Sequence, residues 1–252
     1  MNKQDMEWSH PCGMTLLSDI SGARWVEQSL QASPFAHVGA LIPERFARYV
    51  RLLHPAHDDQ GKPVRWAEVA AWSGQRVYPR MSFDIISIPR QGYGKGSPPW
   101  KDPPRRGSLE QDDATALAEF LAAFTTTPNR CFFAVWEGYG HLSPGGIAGL
   151  TQSGEGGQIL SPREVLEASR LEGVGRRYIL YTGPLSCVTS FFAGVWSDSP
   201  NLWWPEDRQW IVATDIDLDS TYVGGSEALI EALSNDPRFE VLPASRDDPT
   251  YP

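Results

Sequence analysis

Residues 131–136, Cys-Phe-Phe-Ala-Val-Trp, restrict the possible folds of this chain more than any other stretch. The run has no polar break. A strand with one wet face alternates apolar and polar residues, so an unbroken run fits a strand buried on both faces. The sheet that holds it must then be covered on both sides.

Helical patterns are available for that cover. In LEQDDATALAEFLAAFT (109–125), Leu109, Ala116, Leu117, Phe120, Leu121 and Phe124 form an apolar stripe. VRWAEVAAWSG (64–74) predicts a short helix stopped by Gly74. SPREVLEAS (161–169) opens with a Ser-Pro-acid helix start, LSCVTSFFAG (185–194) reads as a short buried helix, and GSEALIEALSN (225–235) as a helix capped by Ser226. ARWVEQSLQ (23–31) fits a helix or an amphipathic strand. Further strands are predicted at 45–56, 80–89, 176–184, 209–218 and 238–244, and 34–43 is expected to be extended. The strand, helix and strand of 209–244 suit a βαβ unit, with an antiparallel return as the other option.

This interleaving predicts an α/β or α+β fold: a single mixed sheet with flanking helices and long Pro/Gly-rich loops. One domain is expected over 1–252, with the polar segment 1–33 peripheral to it. Residues 57–63, 89–108 and 139–158 read as loops. The loop 89–108 carries Arg90, Lys95, Lys101, Arg105 and Arg106 against Asp102, a local +4. It is either an ordinary solvated loop or a lid or partner-binding arm.

That local charge stands out because the whole chain carries -9. Such a balance disfavours general nucleic-acid binding, which needs a basic surface. Cys12, Cys131 and Cys187 are far apart and form no CxxC, which argues against a disulfide framework or a Cys-based zinc site. Cys131 and Cys187 lie in apolar runs and read as buried thiols. No stretch is apolar for long enough to span a bilayer, and the first residues lack a signal-peptide core, so a cytoplasmic, non-membrane protein is expected.

The richest candidate site is Asn201–Leu233. Trp203 and Trp204 stand beside Glu206, Asp207 and Arg208, with Trp210 and Tyr222 following. Indole faces and a guanidinium can hold a planar or cationic ligand. Arg176 and Arg177 are available as partners for the acids. On an extended strand, Asp215, Asp217 and Asp219 would share one face, about 6–7 Å apart in sequence order. Three carboxylates in a row repel unless solvated or bridged by a cation. The D-x-D-x-D spacing begins like a calcium loop. Ser220 stands where the turn wants Gly, however, and Ser226 where a bidentate Glu belongs. Glu137 would emerge at the end of the 131–138 strand. His54 and His57 form a weak HxxH pair beside Asp58 and Asp59. The GxSxG, Walker, GxGxxG and HExxH signatures are absent from the chain.

The stretch SPNLWWPEDRQWIVATDIDLDSTYVGGS (199–226), with RRYILYTGP and CFFAVWEGYG before it, resembles a set of hypothetical proteins from GC-rich bacteria. The resemblance covers the chain from about residue 35 onward. It carries no established activity, so it implies a bacterial cytoplasmic protein and no catalytic residue.

Two functions follow as expectations. The first is a soluble binding protein, with no cofactor, that recognises a protein partner or small ligand through Trp203, Trp204, Glu206, Asp207, Arg208 and Tyr222. The alternative is a metal-dependent hydrolase or phosphoryl-transfer enzyme. It would hold a divalent metal on Asp215, Asp217 and Asp219, with Glu137 and Asp217 as candidate catalytic groups.

Overall fold

The structure is a computed structural model and describes residues 14–139, 166–192 and 198–250. Its centre is a sheet with nine strands among the described residues. The strands are β1 (Thr15–Leu16), β2 (Arg48–Leu53), β5 (Cys131–Trp136), β6 (Arg170–Glu172), β7 (Arg177–Gly183), β8 (Leu202–Pro205), β9 (Ile211–Ala213), β10 (Ser220–Gly225) and β11 (Val241–Ala244). A separate hairpin pairs β3 (Ala56–His57) with β4 (Pro63–Val64). The helices are α1 (Arg24–Gln31), α2 (Trp66–Ser73), α3 (Phe83–Ile86), α4 (Gln111–Ala122) and α5 (Glu227–Asn235), with a 3-10 helix at Leu185–Phe192.

The sheet order is β1-β7-β5-β8-β9-β10-β2-β11, and β6 also pairs with β7. Every pairing between described strands is antiparallel. The chain is therefore of the mixed helix-and-sheet class, with an antiparallel sheet. β10 and β11 both run antiparallel to β2, so they are parallel to each other, with α5 as the crossover between them. The expected βαβ unit is present in this split form. The strand feeding the helix is β10, not residues 209–218.

β5 is buried as its unbroken apolar run requires, and alternate residues enter different cores. Cys131, Phe133 and Val135 join Trp203, Val212 and Val223 under α4, α5 and the 3-10 helix. Phe132 and Ala134 join Leu180, Trp204 and Ile211 under α1. Each Leu, Ile or Phe side chain fully buried here contributes roughly 1.5–3 kcal/mol. α4 buries Ala114, Leu117, Ala118 and Leu121, the i, i+3, i+4, i+7 spacing of one helical face. α1 resolves the helix-or-strand choice at 23–31. Its buried residues Val26 and Leu30 lie four apart, one above the other on a helix.

A third cluster packs α2 and α3 against the end of β2 through Leu53, Trp66, Val69, Met81, Phe83 and Ile86. The Glu240 carboxylate accepts from the N–H groups of Trp66 and Ala67 at 2.8 and 2.9 Å, which ties the start of α2 to the sheet. Gly74 closes α2 with φ 72°, and its missing side chain leaves room for the Tyr93 ring.

Several local expectations are corrected. Residues 80–89 are not a strand. Ser82 caps α3 by accepting the Ile85 N–H at 3.3 Å, and Phe83 and Ile86 turn inward while Ile85 and Ile88 stay exposed. The segment 34–43 is not extended, because it holds a 3-10 turn at Val38–Ala40. β8 and β10 lie in stretches without apolar/polar alternation, and their residues are buried throughout. The loop 89–108 carries no regular element beyond one isolated bridge, between His57 and Asp102. The stretch 139–158, the helix start at 161–169, Gly194 and Cys12 lie wholly or largely outside the described residues. Cys131 and Cys187 are buried free thiols, and burial pushes the Cys131 thiol up to about 12. Among the described residues no helix is long and apolar enough to cross a membrane.

Candidate functional site

β9 ends at Ala213, so the three aspartates lie in a turn and not on a strand. The reason is local. The Asp215 carboxylate accepts the Asp217 N–H at 3.0 Å, and the Leu218 N–H donates to the Asp215 carbonyl at 3.1 Å. An Asp side chain that bonds backbone two residues on builds a turn and competes with the strand ladder. The aspartates therefore do not share a face.

Each is answered by an arginine. Arg176, just before β7, reaches Asp217 at 2.6 Å and Asp215 at 3.3 Å. Its guanidinium also lies 5.9 Å from the centre of the Trp136 ring. Asp219 meets Arg51 of β2 at 3.1 Å. Arg51 is only 8% exposed. It also donates to Ser220 Oγ at 2.8 Å, the Met81 carbonyl at 2.6 Å and the Pro79 carbonyl at 3.3 Å. One cation thus ties the sheet, the turn and the segment before α3 together, with its donors nearly saturated.

Two clefts open on either side of this turn. The first, about 210 Å³, is lined by Arg51, Arg80, Met81, Arg106, Tyr222 and Asp248 among others. The second, about 180 Å³, is lined by His37, Leu41, Val174, Arg176 and Asp215 among others. Asp217, Leu218 and Thr250 line both, so the turn and the C-terminal segment form a shared wall. A larger groove of about 440 Å³ lies between α4 and the 3-10 helix. Its lining mixes apolar residues such as Ala118, Pro128 and Val188 with the polar Thr115, Asn129, Ser186 and Thr189, and Glu119 is its one charged residue.

Behind the turn runs a buried polar chain. His54 is 1% exposed. Its Nδ1 lies 2.7 Å from the Arg105 carbonyl and its Nε2 2.9 Å from Thr221 Oγ1. A carbonyl only accepts, so Nδ1 carries the proton and Nε2 accepts from the Thr221 hydroxyl. Thr221 in turn accepts from Thr214 at 2.7 Å. The Asn201 amide donates to the Thr214 carbonyl at 3.1 Å and to Tyr139 at 3.2 Å, and its Oδ1 accepts the Trp136 N–H at 2.8 Å. Burial drives the His54 pKa down to about 4, against the opposing bond to Arg105, so the ring is neutral near pH 7.

No protein-family model, curated protein or solved structure matches the chain. Any function must be read from its own geometry.

The proposed aromatic, acid and arginine cluster does not converge. Trp203 and Trp204 are adjacent on β8, point to opposite faces and are fully buried. Trp203 meets Trp210 edge-on at 5.6 Å, and Trp204 stacks on Phe132 at 5.4 Å. Tyr222 is 3% exposed and belongs to the same core as Trp204. Glu206 pairs with Arg130 at 2.8 Å, not with Arg176 or Arg177. Burial raises the Asp207 carboxyl, but bonds from Thr125 and Thr126 outweigh it and hold the group below its ordinary value. Arg208 takes a left-handed backbone with φ 57° and lies 5.3 Å from the Trp25 ring centre.

Glu137 emerges at the end of β5 as expected and is gripped by two arginines, Arg170 at 2.9 Å and Arg177. It and the aspartates are held by different cations. Among the described residues no group of three or more His, Cys, Asp or Glu is arranged to hold a metal ion. Both His54 ring nitrogens are engaged, and His57 Nε2 lies 3.1 Å from Glu110.

Asn201, Thr214 and Thr221 lie in the candidate stretch without being singled out by any motif, and Arg51 lies outside it. Arg51 had one signal: it alternates with Val50 and Leu52 on a strand, so it points away from their core.

Proposed function

We propose that the chain is a protein-binding module whose recognition surface is centred on the turn between β9 and β10. The observation that carries this reading is the pair of clefts sharing Asp217, Leu218 and Thr250 as a wall. At about 210 and 180 Å³ each is smaller than the ~300–1,000 Å³ usual for small-molecule sites. Clefts of that size suit single side chains offered by a partner. Ion pairs to Arg51 and Arg176 hold the wall in place, which lowers the ordering cost of binding. The metal-dependent hydrolase reading has less support, since a divalent ion would have to displace an arginine from each aspartate.

The test is a photocrosslinking residue in place of Asp84, which lines the first cleft and is 78% exposed. Expressed in the native host, it should give one discrete protein adduct. Thr250→Trp, which narrows both clefts, should abolish that adduct. An absent adduct, or one indifferent to the filled clefts, would overturn the reading.

A further inference from the structure

The lobe formed by the segment between α2 and α4, which includes α3, differs from the rest of the molecule in charge. Residues 74–107 contain seven basic and two acidic side chains, a net +5, so with -9 overall the remainder carries -14. Arg105 and Arg106 are engaged by Asp198 and Asp84. Arg76, Arg80, Arg90, Lys95 and Lys101 are exposed. None of the five makes an ion pair among the described residues.

The lobe also differs in its apolar surface. Six large hydrophobic side chains are exposed among the described residues, and four of them, Tyr78, Ile85, Ile88 and Tyr93, lie in this stretch. Three of them, Ile85, Ile88 and Tyr93, are brought together around the end of α2. The Tyr93 ring covers Gly74, and the neighbouring Gln75 donates to the Ile88 carbonyl at 2.9 Å. Ile85 and Ile88 are about one helical turn apart. The surface rests on a fixed frame. The Arg90 N–H donates to the Ser73 carbonyl at 2.8 Å and the Gly94 N–H to the Trp72 carbonyl at 2.9 Å. Trp100 packs edge-on against Trp72 at 5.2 Å and Phe83 at 5.6 Å. Single exposed hydrophobics are ordinary, whereas several gathered among polar residues are the pattern of a binding face.

We infer that this face docks an acidic protein partner. The inference rests on the protein-binding reading and names the partner's chemistry. The first cleft adjoins the lobe, because Arg80, Asp84 and Arg106 line it. Tyrosine and arginine are among the residues enriched at protein interfaces. Charge complementarity selects the partner. A two-fold pairing of this face with itself would set +5 against +5. Docking onto the acidic remainder of another copy would be head-to-tail and would not close unless it formed a ring. A nucleic acid could use the cations, but its phosphates make no use of Ile85 and Ile88.

Fluorescence anisotropy at low salt tests this with a labelled glutamate–tyrosine copolymer as the acidic polypeptide probe. Parallel titrations use a twenty-residue thymidine oligonucleotide and phosphatidylserine-containing vesicles. The wild type should bind the copolymer most tightly of the three, and added salt should weaken it. Ile85→Asp with Ile88→Asp, and separately Arg90→Glu with Lys95→Glu, should each weaken it about tenfold. Arg48→Glu, which reverses an exposed cation outside the lobe, should leave affinity within about twofold. Circular dichroism checks that all variants are folded. No copolymer binding, tighter binding to the oligonucleotide or vesicles, or equal losses in Arg48→Glu and the lobe variants would each overturn the inference. Thr250→Trp separates the two proposals. Unchanged copolymer affinity there counts against the clefts, and unchanged affinity in the lobe variants counts against this face.

Discussion

Acidification should destabilise this protein through His54. The ring is buried, and its pKa falls from 6.5 to about 4 in the folded state. Between those values the unfolded chain binds the proton and the folded chain does not. Stability from this group is therefore fully present above about pH 6.5 and is lost as pH falls towards 4. The whole shift is worth about 3 kcal/mol, and about 2 kcal/mol of it is gone by pH 5. Asp113 acts in the opposite sense. Burial, reinforced by Glu110 and Asp112, raises its pKa from 3.8 to about 6. The folded state gains protons there as pH falls, which returns about 1 kcal/mol by pH 5. The diagnostic is therefore a difference. His54→Gln retains hydrogen-bonding capacity but cannot titrate. Urea unfolding of wild type and variant at pH 7.5 and 5 should show the gap between them shrinking by about 2 kcal/mol. A gap constant to within about 0.5 kcal/mol would refute the buried neutral imidazole.

Three other perturbations probe the frame of the site. Trp204→Ala should cost about 3–5 kcal/mol in urea unfolding, because it leaves a cavity beside Phe132; a loss below about 1 kcal/mol would mean that the ring is not core. Asp219→Ala strands the buried Arg51 cation and should cost about 3–5 kcal/mol, while Arg51→Met with Asp219→Leu should cost less than the sum of the single changes. Additive losses in that cycle would remove the pair from the account. Gly107 has φ 84°, and a Cβ there would lie 2.7 Å from the Ile216 carbonyl oxygen. Gly107→Ala should therefore cost more than about 1 kcal/mol, read as a fall of at least about 2–4 °C in thermal midpoint.

Much of the frame was legible because it repeats. α4, α2 with its Gly74 stop, and α5 with its Ser226 cap, which accepts the Leu229 N–H at 3.2 Å, carry their periods and punctuation in a few adjacent residues. β5 announced its double burial by having no polar residue. α3 was illegible because four residues are too few to show a helical period, and its cap Ser82 was the only local sign. At Asp215 the side chain bonded the backbone and ended the strand, a turn chemistry that alternation alone conceals. The paired tryptophans misled for a different reason. Adjacent residues on a strand face opposite ways, so a dense aromatic stretch was split between two cores.

The turn between β9 and β10 shows where the boundary lies. Its sequence by itself determined a concentration of carboxylates, and with it the need for compensating charge. Which cation answers was decided only by tertiary structure. Arg51 lies 168 residues from Asp219 and reaches it because β10 pairs with β2. Arg176 reaches Asp215 and Asp217 from the far side, from the start of β7. Hydrophobic period is a local property that follows from backbone geometry. Charge pairing depends on distance in space, which strand order sets.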